Sequence, residues 1–300
     1  MNRILIIAAL FVVPLFISAQ RQQQFHKDLA KGNYSGICAL GDGRYAMVDD
    51  KAQTDGFRLV HITIDSIRQR ITAVCDLGYR SCGLPNRDME DICYRPSSKT
   101  LYICGEADNE VYEYDLDGQR TGQKLAIPAN IKKAKQNAGL EALTYDTCQN
   151  LFYTMTEQPL PGENTIRLLA FDDNLKLKHT YYYEPDVPTN RKQIYGISAL
   201  CALGDGRLLV MERQIWVPKL KVGAKTVTRI YEVMPSDEEH FLKKKLVTEF
   251  RTRLSITSHK FANFEGLCQV SPNLLLLIAD SQNQYKGVLR DWFRLEILKL

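Results

Sequence analysis

Acidic residues recur along this chain at positions where their chemistry would add up. The segment NAGLEALTYDTCQNLFYTMTEQ, residues 137–158, carries Glu141 ahead of one apolar run and Glu157 behind the next, with a turn between them. The arrangement returns as Glu90 with Glu106 and as Glu265 with Asp280. With glycine at the start, it returns again as Gly36 with Asp49 or Asp50, and as Gly196 with Glu212. Carboxylates gathered at one place repel strongly where the effective dielectric is low, so such a cluster needs a compensating charge. A hard cation such as Ca²⁺ meets that need, because it accepts about six to eight oxygen ligands. Arg87 and Arg213, beside the acids in sequence, offer ion pairs instead, or a grip on a substrate phosphate or carboxylate. An acid that only accepts backbone N–H bonds, or pairs with an arginine of a neighbouring unit, would leave the same trace in the sequence.

Other reaction types lack their residues. The stretch GISAL, 196–200, is not the G-x-S-x-G elbow of serine hydrolases, and neither an H-E-x-x-H zinc motif nor a P-loop occurs. His26, His61, His179, His240 and His259 are scattered without metal-ligand spacing, which suits surface or strand-edge roles.

The elements that must position the acids form a repeat. Five related segments stand at 36–50, 90–106, 141–157, 196–212 and 265–280. Each runs apolar, turn, apolar, which is a β-hairpin pattern. If the ends of each segment pair, its midpoint must be a turn, and the midpoints fall in GDG, PSSK, CQN, GDG and SPN contexts. Further strand-like runs follow each hairpin, among them FRLVHITI, TVTRIYEVM and WFRLEILKL. Four strands per unit, repeated at roughly 50 residues, is the spacing of a propeller. The expected fold is therefore all-β: a β-propeller of four-stranded blades, with five repeats visible and five or six blades in the ring. A sixth blade would draw on the chain ends and on the long interval after the fourth hairpin. In a propeller the first two strands of each blade open onto one face beside the axis, so Glu90, Glu106, Glu141, Glu157, Glu212, Glu265 and Asp280 are expected around one channel mouth as the candidate Ca²⁺ ligands.

Composition bounds the rest. Arg3 followed by an apolar run over 4–17, then Ser18 and Ala19, reads as an export signal, residues 1–19, leaving a single domain over 20–300. The expectation is a secreted or periplasmic protein with no stable membrane span after cleavage, acting as a monomer. The formal net charge of +4, falling to +3 without Arg3, is nearly neutral. The basic runs at 132–135 and 243–245 are short and lack interleaved aromatics, so nucleic acid is not an expected partner. Eight cysteines in an exported chain allow disulfides. Cys75 and Cys82 flank CDLGYRSC and are the candidate bridge, while Cys38, Cys93 and Cys268 occupy similar places in the repeat as small core thiols.

At these segments the chain resembles the phytase-like family, also described as esterase-like activity of phytase. The matching stretches are RDMEDICYRPSSKTLYICGEADNEVYEYDLDGQ (87–119), NAGLEALTYD (137–146), GISALCALGDGRLLVMER (196–213) and NFEGLCQVSPNLLLLIADSQNQ (263–284). The resemblance implies a secreted propeller that hydrolyses ester or phosphoester bonds, with Glu90, Glu141, Glu265 and Arg213 as the catalytic set. One departure stands out: Asp91 follows Glu90 where the family commonly has glycine. In a phosphoesterase, bound Ca²⁺ would neutralise substrate charge, with a glutamate as ligand or general base and Arg213 as phosphate clamp. A carboxylic esterase would use the same cation on a carbonyl. An acidic mouth suits a small ester or phosphoester better than inositol hexakisphosphate. The alternative is a non-catalytic propeller that binds a glycan, peptide or envelope partner, with YYYEPDVP (181–188) and RQIWVPKL (213–220) as its rim.

Overall fold

The structure is a computed structural model that describes residues 23–25, 28–190, 192–219, 222–255, 261–280 and 294–300. The leader read in 1–19 lies outside the described residues. A short first strand, β1 (Gln23–Gln24), is followed by blade one: β2 (Tyr34–Gly41), β3 (Arg44–Asp49), β4 (Thr54–Asp65) and β5 (Arg70–Pro85). Blade two is β6 (Met89–Arg95), β7 (Thr100–Gly105), β8 (Glu110–Tyr114) and β9 (Arg120–Lys124). Blade three is β10 (Leu140–Asp146), β11 (Leu151–Thr156), β12 (Ile166–Phe171) and β13 (Leu177–Tyr183). Blade four is β14 (Ile194–Ala202), β15 (Leu208–Trp216), β16 (Lys225–Val233) and β17 (Lys245–Arg253). The last blade is β18 (Asn263–Ser271), β19 (Leu274–Asp280) and β20 (Arg294–Lys299), with β1 as its outer strand.

All pairings within the blades are antiparallel, and the expected propeller is observed with five blades. The chain ends do not make a sixth. Gln23 and Gln24 pair with Leu295 and Arg294 and complete the fifth blade, while the long fourth interval goes into the nine-residue strands β16 and β17 and the loops around them.

Position in the blade decides each strand's residue pattern. β10 and β11 are buried along their whole length and are correspondingly apolar, because both faces of an inner strand are covered by neighbouring blades. The outer strand β17, KLVTEFRTR, is mostly exposed and carries the charges. Five apolar clusters fill the five blade interfaces, and one of them joins the last blade to the first through Tyr34, Met47, Leu276 and Ile278.

Cys75 and Cys82 do not bridge. Both thiols are free and lie seven residues apart on the single strand β5, a separation of about 20 Å in extended chain. A disulfide needs Cα atoms within about 7 Å. Cys38, Cys93 and Cys268 are buried thiols as expected, and Cys201 joins them. The aromatic part of the rim expected at 181–188 is partly core: Tyr181 and Tyr183 are buried between blades three and four, and Tyr182 stacks on Phe241 with centroids 5.2 Å apart.

Candidate functional site: a carboxylate-lined axial mouth

A β-bulge interrupts every inner hairpin at the same height. Pairing skips Ser35, Glu90, Glu141, Ser198 and Glu265, each of which faces a partner strand that does not lengthen to match it. A bulge bends the strand and re-aims one side chain, so five bulges around the axis form a ring of residues at one mouth of the channel. Three of the five are the glutamates expected there. The other two are serines, one residue before Gly36 and two after Gly196, so the repeat aligned from sequence is out of register at those two blades.

Immediately below lies a ring of small residues, Gly36, Ala142, Ala199 and Gly266, broken by Asp91. Asp91 is fully buried and accepts backbone N–H bonds from Ile92 and Leu143, both at 2.8 Å, and a further one from Leu200. It thus ties together the free inner edges of blades two, three and four. Burial holds its pKa well above the usual carboxylate range even with those donors opposing it. There is room for only one such side chain: a Cβ on Gly36 would stand 2.6 Å from the Asp91 Cα. The departure from glycine after Glu90 therefore leaves the bulge intact and supplies the floor of the mouth. Asp91→Ala would leave three buried N–H groups without their acceptor, each costing about 1–3 kcal/mol, and is expected to lower unfolding stability by about 3 kcal/mol or more in urea titrations. Asp91→Asn, which keeps an acceptor oxygen, is expected to cost less. A loss below about 1 kcal/mol for the alanine variant would show that water replaces the carboxylate.

Above this floor the acids divide into two groups. The first surrounds Arg213, which β15 presents into the mouth. Its Nη2 donates to Glu141 Oε1 at 3.0 Å and to Glu157 Oε1 at 3.1 Å, and its Nη1 donates to Glu265. Asn263 Nδ2 also donates to Glu265, at 2.5 Å. Arg213 Nε is buried without a hydrogen-bond partner. Burial raises the Glu141 pKa well above normal, with Glu157 adding to the rise and Arg213 opposing it. Burial raises Glu157 too, again against Arg213. One guanidinium thus serves three carboxylates, and the cage carries excess negative charge.

The second group is Glu90 with Asp50 and Asp88, whose carboxylate oxygens lie within 4.8 Å of one another. Asp50 comes from the turn after β3 and Asp88 from the turn before β6. Lys51 bridges the two, with Nζ 2.7 Å from Asp50 Oδ2 and 2.8 Å from Asp88 Oδ1. Asp50 Oδ1 is buried with no partner, and among the described residues no donor reaches the Glu90 carboxylate. Burial, then the charges of Glu141, Asp50, Asp88 and Glu106, raise the Glu90 pKa well above normal. Burial pushes Asp50 up to about 6, against the pull of Lys51.

The remaining expected ligands are held by other partners, although the charge of Glu106 still acts on Glu90 and Glu141. Glu106 lies between blades two and three, where Oε1 accepts the Gly139 N–H at 2.9 Å, and burial raises its pKa. Glu212 turns away from the mouth because neighbouring residues on a strand face opposite sides. It accepts bonds from Tyr183 at 2.5 Å, Lys244 Nζ at 2.7 Å and the Asp186 N–H at 2.8 Å. Asp280 pairs in register with Asn263 at the end of the fifth hairpin. Arg87 is not at the mouth: it donates to Asp108, the Ile103 carbonyl and the Glu110 carbonyl, inside blade two. Sequence reasoning missed Asp88 and Lys51, and the acid-rich RDMED at 87–91 was the available signal.

The profile of the phytase-like family, described as esterase-like activity of phytase, matches residues 30–281. The chain belongs to the phytase-like family. That match covers the inner hairpin of every blade, so the carboxylate mouth of this phytase-like chain lies wholly within the matched residues. No curated protein matches the chain. Among solved structures it is similar to a luciferin-regenerating enzyme, at 12% identity over 94% of this chain and 96% of that one, with a TM-score of 0.48. A streptogramin B lyase gives 10% identity over 94% and 97%, with a TM-score of 0.42. The PQQ-bound aldose sugar dehydrogenase of Streptomyces coelicolor gives 11% over 94% and 98%, with a TM-score of 0.46.

Proposed function

We propose that this phytase-like propeller is an exported, monomeric hydrolase that cleaves a small ester or phosphoester at the carboxylate mouth with the help of a bound Ca²⁺. The observation that carries the reading is the group Asp50, Asp88 and Glu90: three carboxylates within ligand reach, one with a buried oxygen lacking any partner and one without a donor. Such a donor set suits a hard cation that takes carboxylates, carbonyls and water. Lys51, whose side chain is 57% exposed, holds two of these carboxylates and is free to swing out as the cation enters. When bound, Ca²⁺ would supply Lewis-acid polarisation of the scissile carbonyl or phosphoryl group.

The chain's own residues do the rest. Glu90 and Glu141 have raised proton affinity and sit next to each other, which suits one to hold a proton while the other accepts one. Arg213 acts as the counter-charge that keeps Glu141, Glu157 and Glu265 packed together, since both of its terminal nitrogens are already committed to carboxylates. Among the described residues Lys51 is then the one cation that can turn toward a substrate at the mouth, which favours a neutral or singly charged ester over a polyanion such as inositol hexakisphosphate.

Calorimetry with Ca²⁺, alongside hydrolysis of p-nitrophenyl acetate and p-nitrophenyl phosphate with and without chelator, tests the reading. Chelator-sensitive turnover is expected, with the acetate preferred. Asp50→Asn is expected to weaken Ca²⁺ binding at least tenfold, and Lys51→Met to tighten it by removing the competing cation. Absence of both binding and turnover would turn the site into a set of blade contacts and leave a binding propeller.

A further inference from the structure

The opposite half of the axial channel carries a second constellation. Three residues after each bulge, the inner strands place Cys38, Cys93, Thr144, Cys201 and Cys268 at one level around the axis. Four of five equivalent positions are thus thiols, contiguous in the ring as Cys93, Cys38, Cys268 and Cys201. All four are free and buried, and they line a cavity of about 240 Å³. Pro96, Thr147 and Gly204, from the hairpin turns, also line it, so it opens on the face opposite the carboxylate mouth. Asp91 stands between the two compartments. Burial raises the pKa of all four thiols, so a cation entering here must displace tightly held protons.

A structural account of small core side chains explains burial but does not require sulfur, because Thr144 fills the same place in blade three. We propose that this thiol-lined cavity is a binding site for a soft d¹⁰ cation, Cu(I), held by the sulfurs of two adjacent blades. Soft thiolate donors select Cu(I) over hard cations. Zinc is disfavoured by spacing. It needs three or four ligands drawn close together, and among the described residues the one group of three ligand-bearing side chains within 4.8 Å of each other is Asp50, Asp88 and Glu90 at the other mouth. Cu(I) needs only two sulfurs in line. Binding converts two thiols and one Cu⁺ into a dithiolate copper unit and releases two protons to solvent; no electron is transferred. Affinity therefore falls as pH is lowered.

The test is anaerobic titration of the reduced protein with Cu(I) in competition with bicinchoninate, followed by X-ray absorption at the copper edge. One equivalent per chain, bound through two sulfurs, is expected. A variant with Cys75→Ser, Cys82→Ser, Cys104→Ala and Cys148→Ser, the four cysteines outside the cavity, is expected to bind unchanged. Replacing Cys38, Cys93, Cys201 and Cys268 together by Ser is expected to weaken binding at least 100-fold with the circular dichroism spectrum retained. If that variant fails to fold, the variant that keeps only the four cavity thiols decides alone: retained binding with a two-sulfur signature upholds the site, and lost binding overturns it. No Cu(I) bound by the unmodified chain, or binding that survives removal of all four cavity thiols, overturns it as well. The Ca²⁺ and hydrolysis assays read the other mouth, so failure of either proposal leaves the other's result intact.

Discussion

Replacing Arg213 by Met is expected to lower unfolding stability at pH 7 by about 3–5 kcal/mol, the usual cost of stripping one partner from a buried ion pair. Glu141, Glu157 and Glu265 would then face one another in a buried mouth without their common counter-charge. Arg213→Lys is expected to be nearly as damaging, because one ammonium cannot replace two guanidinium nitrogens that reach three carboxylates of two other blades. The loss should depend on pH in a direction set by the carboxylates. Glu141 and Glu157 already have raised pKa values in the folded protein, through burial first, and losing Arg213 removes what opposes that rise. A carboxylate with a raised folded-state pKa binds more protons folded than unfolded. Its favourable contribution is complete below the unfolded value of about 4.3 and disappears as pH rises through the folded value. The stability gap between the variant and the parent should therefore narrow on acidification from pH 7 to pH 5 in urea titrations. A gap that stays constant or widens would show that these glutamates are not ionised around Arg213.

Glu90→Gln is expected to reduce turnover of the preferred ester by about 10²–10⁴-fold, the range for removing a positioned acid or base. The substitution keeps the shape of the bulge and removes the charge that Glu141, Asp50 and Asp88 work against. Stability should accordingly hold or rise, which separates a chemical role from a structural one. Loss of turnover that persists at saturating Ca²⁺, with an unchanged or improved urea midpoint, supports Glu90 as the proton-handling group, whereas recovery at high Ca²⁺ assigns it to holding the cation. Unchanged turnover would move that role to Glu141, where the equivalent Glu141→Gln variant can be measured.

Legibility in the sequence followed the kind of signal each residue left. The hairpins and their spacing were readable because inner strands are apolar on both faces and their turns carry turn residues. Glu90, Glu141 and Glu265 were readable because an acid is conspicuous at the start of an apolar run. Ser35 and Ser198 hold the same bulge position and were not, since an extra residue shows itself only in how two strands pair. Gly36 and Gly196 drew attention instead, and their reason is steric: a Cβ on Gly196 would lie 2.4 Å from Glu157 Cγ. Glu212 and Arg213 are adjacent, and only the direction of the pleat tells which one reaches the mouth. Asp50, Lys51 and Asp88 come from turns of two different blades, so nothing local in the chain announces that they meet. The blade number was hidden for a related reason, because a two-residue strand such as β1 has no periodicity to detect.

That two-residue strand has a consequence for how the molecule comes into being. Gln24 and Arg294 are 270 residues apart in sequence. Bringing such distant ends together costs chain entropy of about 5 kcal/mol by the logarithmic loop law. Two paired residues cannot offset that alone. The junction depends on Leu29 and Phe25, which pack with Tyr34, Ile278 and Leu295 into the cluster between the last blade and the first. The pairing of β1 with β20 therefore cannot form before Leu295 has been synthesised, and it spans more of the sequence than the pairing of any inner hairpin. Amide exchange at Leu295 reads the opening of that two-residue pairing directly.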